Sequence, residues 1–350
     1  LLVTRVFFFW GSDTGALKKL SFLNLIPAKT IKFMEMRKPA FMLSSILLIG
    51  SLVVMGTKRD SSLGIDFLGG SIVNIQLKEG QELSEATVKK VISDLTLEKN
   101  PTIQLEQPVQ AEGDLVSIKC ATNDLEKIET KLRSDIGILA EKNTEGNYDI
   151  ALDNETISAS LGGEFLKNSF YALGLGLLAV LFYISLRFEF SFAVGAFAAL
   201  FHDILICIGV VIICGTELSL IHVGAFLTIA GYSINDTIVV FDRMRESLRS
   251  KRGDVAQVMN LAINATLSRT ILTSVTTFVA VLVLWIFGGS ALKDFSFAIM
   301  IGVVIGTYSS IFIAAPVVYI WSKKGSKLRQ ELLDASLDMP TDLAEPSPGK

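Results

Sequence analysis

The chain has 350 residues, 50% hydrophobic and only 19% charged, with a mean hydropathy of +0.51 and a net charge of −3. A soluble chain of this length carries nearer a quarter charged residues, so the composition argues against one large water-soluble core. It holds no basic domain to favour nucleic acid, and Cys120, Cys207 and Cys214 form no spaced pair of the kind that holds a metal.

The opening LLVTRVFFFW is apolar but only about ten residues long, too short to cross a bilayer. It also lacks the basic start and small-residue cleavage site of a signal peptide. Six later runs are long and apolar enough to span: 40–56, 168–186, 191–214, 219–241, 271–287 and 295–321. The chain is therefore expected to be an all-α six-helix membrane bundle. Between the first two spans lies a polar stretch of about a hundred residues, room for one small domain.

That stretch has its own periodicities. Residues 71–77 (SIVNIQL) alternate as a strand does, and 82–99 carry apolar residues at helical spacing. Residues 102–109 and 115–121 read as two strands joined through a turn at Gly113-Asp114. Leu125, Ile128, Leu132, Ile136 and Leu139 fall on one face of a second helix over 125–140, and 148–152 reads as a last strand. The order strand–helix–strand–strand–helix–strand predicts an α+β ferredoxin-like domain.

Lys and Arg cluster before the first span, after the fourth and after the sixth, while the alternate connections contain only Lys293. The positive-inside rule then puts both termini in the cytoplasm and the inserted domain outside it. The tail from about residue 330 is acidic and Pro-containing, a composition that favours disorder.

Asp236 is the most informative residue. It sits in LTIAGYSINDTIVVF, roughly 8 Å inside the fourth span at 1.5 Å per residue. An ionisable group at that depth is a functional candidate by default, and Ser233, Asn235 and Thr237 add polar atoms nearby. The bland reading is a helix-end carboxylate facing the headgroups. Arg269, flanked by Ser268 and Thr270, leads into the fifth span at a comparable depth. It is either the partner of Asp236 or a cationic anchor that snorkels to the surface. If the two are partners they form a proton switch, because burial raises a carboxyl pKa, a nearby guanidinium lowers it, and arginine keeps its proton. His202-Asp203 lies midway along the third span, either a proton relay or a polar interhelical contact. Neighbouring positions point about 100° apart on a helix, so the two side chains are not expected to face each other.

Gly302, Gly306, Ser310 and Ala314 recur every four residues, a small-residue stripe expected to serve close helix packing. Gly64 and Gly69-Gly70 are expected at turns just outside the membrane. No P-loop, zinc spacing or nucleophile elbow is present, so no hydrolytic enzyme activity and no cofactor are expected, and any work should draw on an ion gradient.

Several segments resemble the SecD/SecF family of Sec-translocase accessory subunits. GIDFLGGS is similar to the family's GxDFxGG segment. GYSINDTIVVFDRMRE, NATLSRTILTSVTT and DFSFAIMIGVVIGTYSSIFIAAPV resemble successive SecF blocks, and the match runs in order over roughly 38–323. The resemblance implies a resistance-nodulation-division exporter-like bundle in the bacterial inner membrane. It implies pairing with a SecD half, work beside the SecYEG channel downstream of SecA, and use of the proton-motive force to help unfolded preproteins across on the periplasmic side. By the same motif match Asp236 and Arg269 fall on positions implicated in proton movement; from their own places in the sequence Asn235, Thr237, Ser268, Thr270, His202 and Asp203 are expected as supporting polar groups. The SecD half is implied to supply a further carboxylate.

The opening LLVTRVFFFW resembles the end of a last SecD span, so the chain is expected to be the C-terminal half of a fused SecDF. The expected domains are 1–12, remnant of that span; 13–38, cytoplasmic connection; 39–57, first transmembrane helix; 58–166, periplasmic domain; 167–322, five-helix bundle; and 323–350, cytoplasmic disordered tail. Two other readings stay open: half of a different proton-driven exporter of the superfamily, or a non-transporting assembly subunit in which Asp236 and Arg269 are a structural ion pair.

Overall fold

In the computed structural model, residues 30–58, 62–77, 83–97, 101–106, 115–140, 150, 152–250 and 253–322 are described. The expected readings of the opening segment, the Gly113-Asp114 turn and the C-terminal tail fall outside them.

Six helices among the described residues are long and apolar enough to cross a membrane. The first, α1 (Arg37–Thr57), carries no charged residue between Lys38 and Lys58. Arg37 holds its start, its Nη1 donating to the Met34 carbonyl at 2.6 Å.

The chain then enters the inserted domain through GIDFLGG. A short α2 (Ile65–Leu68) ends at Gly69, whose φ of 81° is left-handed backbone that a side chain rarely adopts. Next come β1 (Gly70–Gln76), α3 (Glu85–Ser93), β2 (Thr102–Glu106), β3 (Leu115–Cys120), α4 (Leu125–Asp135), the short α5 (Gly137–Ala140) and β4 (Leu152–Ile157). The sheet order is β2-β3-β1-β4, and every neighbour is antiparallel. Val73 pairs with Ile118 and Ile75 with Val116, so alternate residues bury one face. Val88 and Ile92 of α3 and Ile128 and Leu132 of α4 share the resulting core. Both helices therefore cover the same side of the sheet.

The last strand among the described residues is Leu152–Ile157, while residues 148, 149 and 151 of the strand expected over 148–152 lie outside the described residues. Its LDNETI sequence is polar because β4 is an edge strand whose middle residues are exposed, so a search for half-buried alternation passes it by. The helix expected over 125–140 breaks at Ile136, which leaves helical dihedrals at φ −109°, ψ 99°.

The bundle continues with α6 (Ala159–Arg187), which starts well before the expected span because Ser158 caps it. Then follow α7 (Phe190–Ile213), α8 (Leu220–Ser250), α9 (Val255–Phe287) and α10 (Gly289–Ser309). At 1.5 Å per residue α8 and α9 outrun a bilayer's hydrocarbon core of about 30 Å. Each therefore carries a polar extension at their shared connection. Arg245 and Arg249 on the extension of α8 reach Glu189, between α6 and α7, at 3.4 and 3.7 Å.

Past α10 the backbone widens into a π-helical turn over Ser310–Ala314 before α11 (Ala315–Trp321). Pro316 supplies no N–H to the preceding turn, and the wider turn accommodates that loss. The small-residue stripe is where α10 meets α8. A Cβ on Gly306 would come within 3.1 Å of the Ser233 Cβ, and Gly302 abuts Ile229.

Candidate functional site

α7, α8, α9 and α10 bring polar side chains together inside the bundle, in two groups centred on Asp203 and Asp236. Both carboxylates are buried.

Asp203 is fully bonded. Ser233 Oγ of α8 donates to Oδ2 at 2.6 Å, and Ser309 Oγ of α10 donates to the same oxygen at 2.7 Å. His202 Nδ1 lies 2.9 Å from Oδ1, so one proton sits between them. This corrects the expectation that the neighbouring side chains do not face each other. The 100° offset holds at the backbone, but the imidazole and carboxylate are long enough to bend together. The His202 ring stacks on Tyr308, whose hydroxyl donates to the Ala40 carbonyl of α1 at 3.0 Å. The Asp203 group thus ties four helices.

Asp236 is loosely held. Its nearest hydroxyls, Thr273 Oγ1 and Ser274 Oγ of α9, stand at 3.5 and 3.4 Å. Each lies closer to another acceptor: Thr273 to the Thr270 carbonyl at 2.9 Å, Ser274 to the same carbonyl at 2.8 Å. A hydroxyl has one proton to give, so neither makes a strong bond to Asp236. Ser274 Oγ in turn accepts from Tyr232 at 3.1 Å and Thr307 at 2.6 Å. The carboxylate therefore sits beside a hydroxyl cluster that is satisfied without it.

The other expected residues divide. Thr237 is buried and donates to the Ser233 carbonyl at 2.9 Å. Thr270 is buried with its hydroxyl unpartnered. Asn235, Ser268 and Arg269 are exposed on the bundle's side. Arg269 is near enough for its charge to act on Asp236, yet the two form no ion pair within 4.0 Å. Ser274, Thr307, Tyr232 and Ser309 were missed from the sequence. Their signal is a density of hydroxyls on otherwise apolar helices. Among the described residues, no three His, Cys, Asp or Glu side chains converge as metal ligands would.

A family model described as "Protein export membrane protein SecD/SecF, C-terminal" matches residues 139–324. The protein translocase subunit SecF of Sebaldella termitidis is 35% identical over 86% of this chain and 95% of its own length. That of Rhodothermus marinus is 36% identical over 82% and 91%. This chain belongs to the SecF family. It is therefore a multi-pass membrane protein of the protein-translocase class. A Thermus SecDF crystal structure, described as a translocon-associated membrane protein, superposes with a TM-score of 0.71 at 29% identity over 90% of this SecF-family chain. A SecDF in a super-membrane-facing form gives 0.61 at 28% identity over 93%. The chain spans only about two-fifths of either SecDF, 41% and 42%.

Proposed function

We propose that this SecF-family chain, with a SecD half, uses the proton-motive force to assist unfolded preproteins through the SecYEG channel after SecA, with Asp236 as the proton carrier and Arg269 as its gate. The observation that carries this is the environment of Asp236. A buried carboxylate without a strong hydrogen bond, one helix away from an exposed guanidinium, can gain or lose a proton without dismantling the bundle. Arg269 swinging in would favour the carboxylate, and its withdrawal would favour the acid. Each proton crossing the potential delivers about 2.3 kcal/mol per 100 mV, so neither a bound cofactor nor a hydrolytic site is required.

The exposed side of α8 and α9, with Asn235 and Arg269 on it, is the natural seat of the SecD half, whose length the SecDF comparisons leave unaccounted for. The inserted domain is read as ferredoxin-like and periplasmic. The strand order β2-β3-β1-β4 with both helices on one face supports the first point, and the basic residues beyond the opposite helix ends support the second, with both termini cytoplasmic in the inner membrane.

The test is proton uptake and preprotein release in vesicles holding this chain with its SecD half, wild type against Asp236→Asn at matched expression. Loss of both activities in a folded protein is expected. Proton flux that survives unchanged in Asp236→Asn would sink the proposal.

A further inference from the structure

Asp236 is only 3% exposed, so a proton bound for its carboxylate has to arrive through a neighbouring side chain. Three neighbours are candidates. Arg269 acts on Asp236 through its charge, but a guanidinium does not give up its proton. Thr273 Oγ1, 3.5 Å from Oδ1, turns its proton towards the Arg269 and Thr270 carbonyls at 3.0 and 2.9 Å, and among the described residues no group donates to it. It has one proton to give and no source of another. Ser274 differs in that respect.

Ser274 Oγ of α9 lies 3.4 Å from Asp236 Oδ2. It accepts from Tyr232 of α8 at 3.1 Å, and Thr307 of α10 stands 2.6 Å from the same oxygen. Its own proton rests on the Thr270 carbonyl at 2.8 Å, which Thr273 also serves at 2.9 Å. The Ser274 proton can therefore turn to Oδ2 without leaving that carbonyl unmet. Thr307 has an equally close acceptor in the Val303 carbonyl, also at 2.6 Å, whereas the Tyr232 hydroxyl donates to Ser274 alone among the described residues. Tyr232 is half-buried, and its neighbours Gly231 and Asn235 in α8 are exposed. Oxygens about 2.6–3.2 Å apart are within reach of proton transfer, and contacts a little longer than that tighten as the proton moves.

We propose that Tyr232 and Ser274 form a two-hydroxyl relay that loads and unloads Asp236, a role that rests on Asp236 being the proton carrier of the preceding reading. In the loading direction an incoming proton binds the Tyr232 oxygen, the Tyr232 proton passes to Ser274 Oγ, and the Ser274 proton passes to Oδ2. Each hydroxyl gains one proton and loses one, the carboxylate ends one proton richer, and no other reactant is consumed. The hydroxyls then rotate back, and unloading is the reverse. A relay sets how fast Asp236 changes its protonation, equally in both directions, and leaves the equilibrium where it was. A residue that only shapes or charges the site moves the equilibrium instead.

The full chain with its SecD half is reconstituted in vesicles and taken through pH jumps while the acid carbonyl band of Asp236 is followed by infrared difference spectroscopy. The band is identified by its loss in Asp236→Asn. Ser274→Ala should slow the band's change on the order of a hundredfold, with the titration midpoint where it is in the wild type. Tyr232→Phe should slow it about tenfold, because Thr307 still reaches Ser274. Ser274→Thr, which keeps a hydroxyl, should recover most of the rate. An unchanged rate in Ser274→Ala overturns the relay, and so does a midpoint that shifts together with the rate. An unchanged rate in Tyr232→Phe overturns the chain as drawn, a result that stays readable even where Ser274→Ala does not fold. Proton flux that survives in Asp236→Asn is a separate failure, that of the carrier reading, and it takes the relay's function with it whatever the band kinetics show.

Discussion

Asp203 and Asp236 lie on neighbouring helices of the same bundle, and both are buried, yet they are held in opposite ways. Asp203 receives two hydroxyls at 2.6 and 2.7 Å and shares a proton with His202. Asp236 meets its hydroxyls only at 3.4 and 3.5 Å, and those hydroxyls are better bonded elsewhere. The lesson is that burial alone does not identify a working carboxylate. A fully bonded one fixes the helices around it, and an under-bonded one is free to change its protonation state.

The widest separation between them is expected in stability. Asp203→Ala strands Ser233, Ser309 and His202 inside the bundle and should cost about 2–3 kcal/mol. Asp236→Ala strands nothing that depends on it and should cost less than about 1 kcal/mol. Unfolding of the detergent-solubilised protein in a graded denaturing detergent measures both. The contrast breaks if Asp236→Ala is the more destabilised of the two. A finer version compares single hydroxyls. Ser309→Ala should cost about 1 kcal/mol by the same measurement, while Thr273→Val should fall within experimental error.

How much of this was legible in the sequence depends on the range of the interaction. Hydropathy located all six spans, because a span is a local property of some twenty residues. The inserted domain was readable where a strand has one buried face, as in SIVNIQL, and unreadable in LDNETI, which lies at the sheet edge with most of its side chains in solvent. Asp236 stood out by its depth in the span, but its looseness did not. That depends on Ser274 being bonded to Thr270 and Thr307, and no spacing rule foretells where a hydroxyl spends its single proton. The two readings of Arg269, partner or surface anchor, could not be separated by spacing either. Its exposed side chain, close to Asp236 but unpaired with it, combines features of both.

A third carboxylate marks the other end of α8. Asp66, from GIDFLGG, accepts from the Leu220 backbone N–H at 2.9 Å and caps the helix across 154 positions of chain. A cap of this kind contributes about 1 kcal/mol, helped by the positive end of the helix dipole. Asp66→Ala should therefore cost less than Asp203→Ala and act locally, as faster hydrogen exchange at Leu220 and Ile221 with none at Asp236. Exchange that rises along the whole of α8 would mean that the cap holds the entire helix, and the three carboxylates would no longer divide by position.

The smallest effect is silent at neutral pH and lies outside the membrane. Cys120 ends β3 inside the core of the inserted domain, and its thiol is pushed up to about 11, first by burial and then by the charges of Asp124 and Glu129. The unfolded chain loses this proton near 9, so between about 9 and 11 the unfolded state binds fewer protons and stability falls as pH rises. Cys120→Ala removes this contribution, so its stability should decline less steeply than that of the wild type across the same window. Exposed Cys214 gives the contrast within one molecule, since it should react with iodoacetamide at pH 8 while Cys120 stays unmodified until the domain is unfolded. Equal alkylation of the two thiols in the folded protein would show that the closed core of the inserted domain opens as readily as the membrane edge.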